Sequence, residues 1–257
     1  MNKLDLHYKV EGIGKTIVFI HGLSDDLNYW EFLATHLKRD YQVIRFDLPG
    51  HGQSELSDGE ITFDLYVNGL TGIFDELGLN MVSLVGFSLG GAIALDFALK
   101  HPDKVESLVV MSSFAKVDTH LIRIFNEFKN ALNISFEEFY DLILPMVLCS
   151  HVIDNNRDEL EFLKQSASQT ANNQAYIKAI DACLDFDVEK ELSKIEIPAL
   201  ILAGKYDEIT PVDIQKDICA NIHNSKLIVF DDVKHNLLVG ENNNKILGIL
   251  KEFLKKR

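Results

Sequence analysis

The residues best placed to do chemistry are Gly86-Phe87-Ser88-Leu89-Gly90-Gly91. They follow an apolar run at 81–85 and open an apolar helical stretch carrying Ala92, Leu95, Phe97 and Ala98. A G-x-S-x-G pentapeptide between a strand and a helix forces a sharp turn that exposes the central hydroxyl. The glycines two positions either side let strand and helix approach closely. Ser88 is therefore the expected nucleophile. The backbone N–H of Leu89 lies at the helix N-terminus, where unpaired donors and the helix dipole favour a developing anion.

Competing chemistries fare poorly. The same glycines make a poor dinucleotide turn, because Ser88 stands where the second glycine is needed for close approach to a pyrophosphate. Gly14-Lys15-Thr16 looks like the end of a P-loop, but the loop's first glycine would fall on Lys9 and no helix follows. His36, His120, His151 and His223 have no partners at metal-ligand spacing, and H-E-x-x-H is absent. Cys149, Cys183 and Cys219 are odd in number and never in a C-x-x-C pair, which fits neither a disulfide framework nor a thiolate zinc site. No cofactor and no metal are expected.

Six short runs, at 16–20, 42–46, 81–85, 107–111, 199–202 and 226–230, are almost continuously apolar. Strands buried on both faces read this way. Helical spacings separate several of them, at 27–37, after Ser88, and at 245–254, where Ile246, Ile249, Leu250 and Phe253 fall on one face. Lys255, Lys256 and Arg257 suit the negative end of that last helix. Alternating strand and helix predicts an α/β fold with a doubly wound, mostly parallel sheet. Residues 4–10 alternate polar and apolar, as an antiparallel edge strand or hairpin would. Between 114 and 192 no strand pattern appears; Ile122/Phe125, Phe136/Phe139/Tyr140/Ile143 and Ile177/Ile180/Leu184 are spaced as helices. The expected organisation is a core formed by 1–113 and 193–257, with 114–192 as a helical insertion.

With these motifs in order, the chain resembles the α/β-hydrolase superfamily over nearly its whole length. Ile20-His21-Gly22-Leu23 matches the family's H-G oxyanion turn. Asp47-Leu48-Pro49-Gly50-His51-Gly52-Gln53-Ser54 looks like its D-x-x-G-x-G-x-S loop, and Gly204-Lys205-Tyr206-Asp207-Glu208-Ile209-Thr210-Pro211 matches G-x-x-D-x-x-x-P. His235 follows the last strand, where the family has its general base; Lys234 stands where a glycine usually precedes that histidine. The resemblance implies a catalytic triad of Ser88, Asp207 and His235, in the chain order of this fold. It also implies an oxyanion hole formed by the Leu23 and Leu89 amides. Serine hydroxyls need a base to take the proton, and an imidazole needs a carboxylate to fix its tautomer. Glu208 is the rival acid, read as a solvated loop charge. His21 is expected to shape the oxyanion turn, and His51 and His101 to be structural.

By the same resemblance the insertion is a lid over the active site. Phe114, Phe125, Leu144, Met146 and Val147 are its candidate substrate-binding residues. Seven cations against fourteen anions in the insertion offer no field for a dicarboxylate or phosphorylated substrate. Within the superfamily the sequence is most similar to small carboxylesterases and the 3-oxoadipate enol-lactonase group. A serine at 88 argues against the haloalkane dehalogenases and soluble epoxide hydrolases, which use an aspartate.

The remaining constraints come from composition. A net charge of −14 repels phosphate backbones and anionic lipid, so neither nucleic acid nor membrane is an expected partner. The first residues lack the apolar stretch of a signal peptide, and the longest apolar run, 142–149, contains Pro145. The chain is expected in the cytoplasm, as a monomer or homodimer acting on a small-molecule ester. The expected activity is that of a serine hydrolase of the carboxylesterase kind. The same triad serves lactones, thioesters and carbon–carbon bonds, and a non-turnover ligand sensor is the alternative outside enzymes.

Overall fold

Seven strands form one sheet in the order β1-β3-β2-β4-β5-β6-β7 in the computed structural model, which describes residues 5–56 and 59–255. β2 (Thr16–Ile20), β3 (Gln42–Phe46), β4 (Val82–Phe87), β5 (Val105–Met111), β6 (Ala199–Gly204) and β7 (Ser225–Phe230) pair in parallel. β1 (Tyr8–Glu11) pairs antiparallel with β3, Tyr8 opposite Phe46. The sheet is thus doubly wound and mostly parallel, as the sequence pattern predicts. β1 is the expected edge strand, shifted toward Glu11. Leu4 at the start of that prediction, and Lys256 and Arg257 at the chain's end, lie outside the described residues.

The continuous apolar runs have a simple cause. Successive side chains of a strand point to opposite faces, and here both faces are covered. Val18, Ile20, Leu84, Leu108 and Val110 pack into one buried cluster, while Ile17, Phe19, Val85, Val109 and Met111 pack into another across the sheet. The second face is covered by α1 (Glu31–Leu37) and α10 (Asn242–Lys255). The first is covered by α2 (Phe63–Leu77), α3 (Leu89–Lys100) and α9 (Val212–Asn221). The expected helix at 27–37 is a 3₁₀ turn, Leu27–Trp30, running into α1. α2 and α9 are not among the expected helices. α2 is bounded by local chemistry: the Thr62 hydroxyl accepts from the Leu65 amide at 3.1 Å, and Gly78 closes the far end in the left-handed region at φ 63°.

Five helices separate β5 from β6: α4 (Thr119–Ile134), α5 (Phe136–Val147), α6 (Ser150–Asn155), α7 (Arg157–Ser168) and α8 (Asn173–Leu184). Ser135 divides the first two, ending α4 and accepting from the Glu138 amide at the head of α5. α4 and α5 send Leu121, Ile124, Phe125, Phe128, Phe136 and Phe139 into the first cluster, which ties the block to the sheet.

The strand order sets where a ligand can sit. From β2 the chain winds to β3 on one side, whereas from β4 it winds to β5 on the other. The crevice at the carboxyl ends of β2 and β4 is the topological switch point, where open α/β sheets bind ligands. β2 delivers His21-Gly22-Leu23 to that crevice, and β4 delivers Ser88.

Candidate active site

Ser88 joins β4 to α3 with φ 51° and ψ −119°, a conformation L-residues rarely adopt. Its amide donates to the Met111 carbonyl at 2.9 Å, and its own carbonyl accepts from the Gly91 amide at 2.9 Å and the Ser113 hydroxyl at 2.6 Å. The flanking glycines are sterically required. A Cβ on Gly86 would lie 2.2 Å from the Gly90 carbonyl oxygen, and one on Gly90 would lie 2.2 Å from that of Ile20. The other non-glycine residues with positive φ among those described are Ser24 (60°) and Ser112 (45°). They follow β2 and β5, so backbone strain gathers along the one edge that carries Ser88.

His235 reaches this edge from the loop after β7. Its Nε2 lies 3.0 Å from Ser88 Oγ and its Nδ1 lies 2.8 Å from Asp207 Oδ2. Asp207, after β6, is buried and held on both oxygens. Oδ1 accepts from the Ile209 and Thr210 amides, each at 2.9 Å, and Oδ2 accepts from the Thr210 hydroxyl at 2.9 Å as well as facing the imidazole. With its Nδ1–H donated to the carboxylate, the ring presents a free Nε2 lone pair to the serine hydroxyl. The structure therefore brings the three expected side chains into one hydrogen-bonded series. Glu208 pairs instead with Lys234. Lys234 turns the histidine loop without a positive φ, so no glycine is needed there. Room for that backbone comes from Gly204, where a Cβ would lie 1.9 Å from the Lys234 carbonyl oxygen.

His21 and His51 hold the loops and take no place beside Ser88. His21 Nδ1 donates to the Gly22 carbonyl at 2.7 Å, while its Nε2 accepts from the Leu48 amide at 2.9 Å. A proton on Nε2 would confront that N–H, and full burial holds the His21 pKa down to about 4. Burial, with His21 nearby, takes His51 to about 3. The Asp47 loop is equally structural: the Asp47 carboxylate accepts from the Leu27 amide at 2.7 Å and the Gln53 amide at 2.9 Å.

A cavity of about 570 Å³ opens over Ser88 and His235. Leu23 and Leu89 line it beside the hydroxyl, and of the expected substrate-binding residues so do Phe114, Phe125, Leu144 and Val147. Met146 does not. Tyr140, Ile143, Leu144 and Val147 mark the cavity face of α5, and Met146, at the next position round the helix, packs against the core cluster. The Phe136/Phe139/Tyr140/Ile143 spacing, read above only as helical, is itself the cavity wall.

Three further residues escaped sequence reasoning. Thr210 and Gln215 are buried supports: Gln215 bonds the main chain of Ser113 through both ends of its amide and also reaches the Thr210 carbonyl at 3.4 Å. It thereby links the residue bracing Ser88 to the residue bracing Asp207. The Thr-Pro pair after Asp207 was the available signal for Thr210; Gln215, within an unremarkable amphipathic stretch, had none. Asp25 lines the cavity two residues beyond Leu23, and desolvation, with Asp26 beside it, raises its pKa to about 7. Among the described residues no three His, Cys, Asp or Glu side chains gather as metal ligands would, and no helix is long and apolar enough to cross a membrane.

This architecture has many relatives. The α/β hydrolase fold family matches residues 15–241. A 2-hydroxy-6-oxononadienedioate/2-hydroxy-6-oxononatrienedioate hydrolase of Paraburkholderia phymatum is 30% identical over 261 residues, covering 91% of this chain and 85% of its own. A pimeloyl-[acyl-carrier protein] methyl ester esterase of Legionella pneumophila is 23% identical, covering 98% and 100%. Among solved structures, the enol-lactonase from Burkholderia xenovorans superposes with a TM-score of 0.91 at 21% identity, over 99% of this chain and 98% of that one. With its strand order, its strained serine turn and a family match spanning most of its length, the chain belongs to the α/β hydrolase fold family.

Proposed function

We propose that this member of the family is a serine hydrolase that cleaves carboxylic esters through an acyl-enzyme. The observation carrying the proposal is the unbroken series Ser88 Oγ, His235 Nε2, His235 Nδ1 and Asp207 Oδ2, at 3.0 Å and 2.8 Å, opening into an apolar cavity. Ser88 Oγ attacks the ester carbonyl as His235 Nε2 takes its proton, and Asp207 stabilises the imidazolium that forms. The carbonyl oxygen becomes an oxyanion facing the Leu23 and Leu89 amides. Collapse breaks the bond to the alcohol oxygen, which leaves with the proton from His235. Water then attacks the acyl carbon, gives its proton to His235, and the acid departs as Ser88 recovers its hydrogen. The helical block between β5 and β6 serves in this reading as the cover of the site.

The test is direct. A fluorophosphonate should label wild-type protein and spare Ser88→Ala. The same substitution should lower kcat on a short-chain p-nitrophenyl ester by about four to six orders of magnitude. Purified Ser88→Ala that kept a tenth of wild-type turnover would remove Ser88 from the role. Running lactone, thioester and carbon–carbon substrates beside the esters separates the reactions this triad can serve, and multiple turnover of any of them separates an enzyme from a ligand sensor.

A further inference from the structure

The cavity over Ser88 and His235 is walled largely by apolar side chains. Much of its lining comes from α4, α5, α7 and α8, including Phe125, Phe128, Phe136 and Phe139, and most of the rest from the loops after the strands. Among the described residues no lysine or arginine lines it, and the carboxylates that do are Asp25 and Asp26, on the loop after β2. The cations of the surrounding helices are engaged outside it: Arg123 with Glu127, Lys129 with Asp181, Arg157 with Asp154, Lys164 with Asp141 and Glu161, and Lys178 with the Gly59 carbonyl. Strong donors on the wall of the helical block are few. The Tyr140 hydroxyl donates to the Leu160 carbonyl at 3.1 Å, and burial pushes the Cys183 thiol up, so it stays neutral and offers only a weak S–H. A carboxylate carried into this wall would meet no counter-ion and no donor stronger than the Cys183 S–H, a costly condition for a buried charge. The volume, about 570 Å³, leaves most of the space empty around an acetyl group.

Resting on the reading of Ser88 as an ester nucleophile, we propose that the site takes a medium-length uncharged acyl chain and refuses a chain of the same length ending in a carboxylate. Binding energy for the tail comes from methylenes against the phenylalanine wall, and selectivity comes from the absence of any group to neutralise an anion.

The experiment compares p-nitrophenyl octanoate, mono-p-nitrophenyl suberate and the methyl ester of that suberate, all with eight-carbon acyl chains. The expected result is octanoyl and methyl-suberyl turnover within about tenfold of each other, with the free suberate at least a hundredfold lower in kcat/KM. From acetyl to octanoyl, kcat/KM should climb about fourfold per methylene. Equal turnover of the charged and uncharged eight-carbon esters would overturn the proposal while leaving the serine hydrolase reading intact. Failure of every ester, with no fluorophosphonate labelling, would instead strike that reading. A binding arm then decides the proposal independently: Ser88→Ala should bind methyl octanoate and not monomethyl suberate by calorimetry, and equal affinities would refute it.

Discussion

β4 and α7 face the same cavity and are built on opposite terms. All six residues of β4 are buried, and the turn that follows is fixed by contacts too close for a single added carbon. α7 buries none of its residues; Phe162 is 69% exposed, and Leu163 is 48% exposed although it lines the cavity. The atoms proposed to react thus hang from an element with no slack, and part of the substrate wall hangs from one held on a single side. Changes on the sheet should therefore abolish function, and changes on α7 should retune it.

The comparison breaks first if the nucleophile turn tolerates substitution. Gly90→Ala places a Cβ 2.2 Å from the Ile20 carbonyl oxygen, at the junction of α3 with the strand that leads into His21-Gly22-Leu23. Backbone cannot yield there without moving Ser88. The expected outcome is a loss of more than about 4 kcal/mol by urea denaturation, or failure to fold, together with loss of the proposed esterase activity. Near-wild-type stability would show that the sheet edge has more room than its distances imply.

Acid should expose the same rigidity. His21 and His51 are held neutral in the folded state, down to about 4 and about 3, whereas an unfolded histidine titrates near ~6.5. As pH falls below ~6.5 the unfolded chain binds protons that the native state refuses, so stability drops from there toward pH 4. Asp25 acts in the opposite sense: raised to about 7, it favours the native state when protonated, a contribution lost as pH rises from ~4 to 7. His51→Gln should remove one histidine's share of the acid slope, about 1.4 kcal/mol per pH unit between pH 6 and 4, whatever its effect at pH 7. Denaturation midpoints across that range measure it, and a slope unchanged from wild type would mean His51 is protonated in the folded protein.

Thr210 sharpens the comparison at the level of one hydroxyl. It donates to Asp207 Oδ2 at 2.9 Å and sits 3.3 Å from His235 Nδ1. Thr210→Val keeps the shape and removes the donor, so kcat should fall about tenfold, with KM and folding close to wild type. A change in KM alone would place the residue in substrate binding and not in orienting the carboxylate.

The same contrast explains what could be read in advance. Strands buried on both faces announce themselves as unbroken apolar runs, so Thr16–Ile20 and Gln42–Phe46 were legible to the residue. Ser88 was legible because steric demands at Gly86 and Gly90 leave a signature in the sequence. α2 was not expected although Tyr66, Val67, Leu70, Ile73 and Phe74 fall at helical spacing; Gly69 and Gly72 are weak helix formers, and its boundaries are set by Thr62 and Gly78. Gln215 was hidden for a different reason: its role lies in contacts with Ser113, 102 positions away, which no local spacing encodes. Met146 was expected in the cavity as an apolar residue of the lid, and apolar character alone does not say which face of α5 is turned toward the site.

The smallest expected effect tests the other side of the contrast. Leu84, on β4, is wholly buried, and truncating such a leucine to alanine costs about 3–5 kcal/mol. Leu160, on α7, also contacts the cavity but is only partly buried, and its carbonyl, which accepts from Tyr140, survives truncation. Leu160→Ala should therefore cost less than about 1 kcal/mol in chemical denaturation. Its consequence should appear in the substrate profile, as a shift of the optimum toward longer or bulkier acyl groups at nearly constant kcat on the best substrate. A profile that kept its shape would mean that α7 lines the cavity without meeting the acyl chain, and the pliable half of the site would then have to be sought in α5.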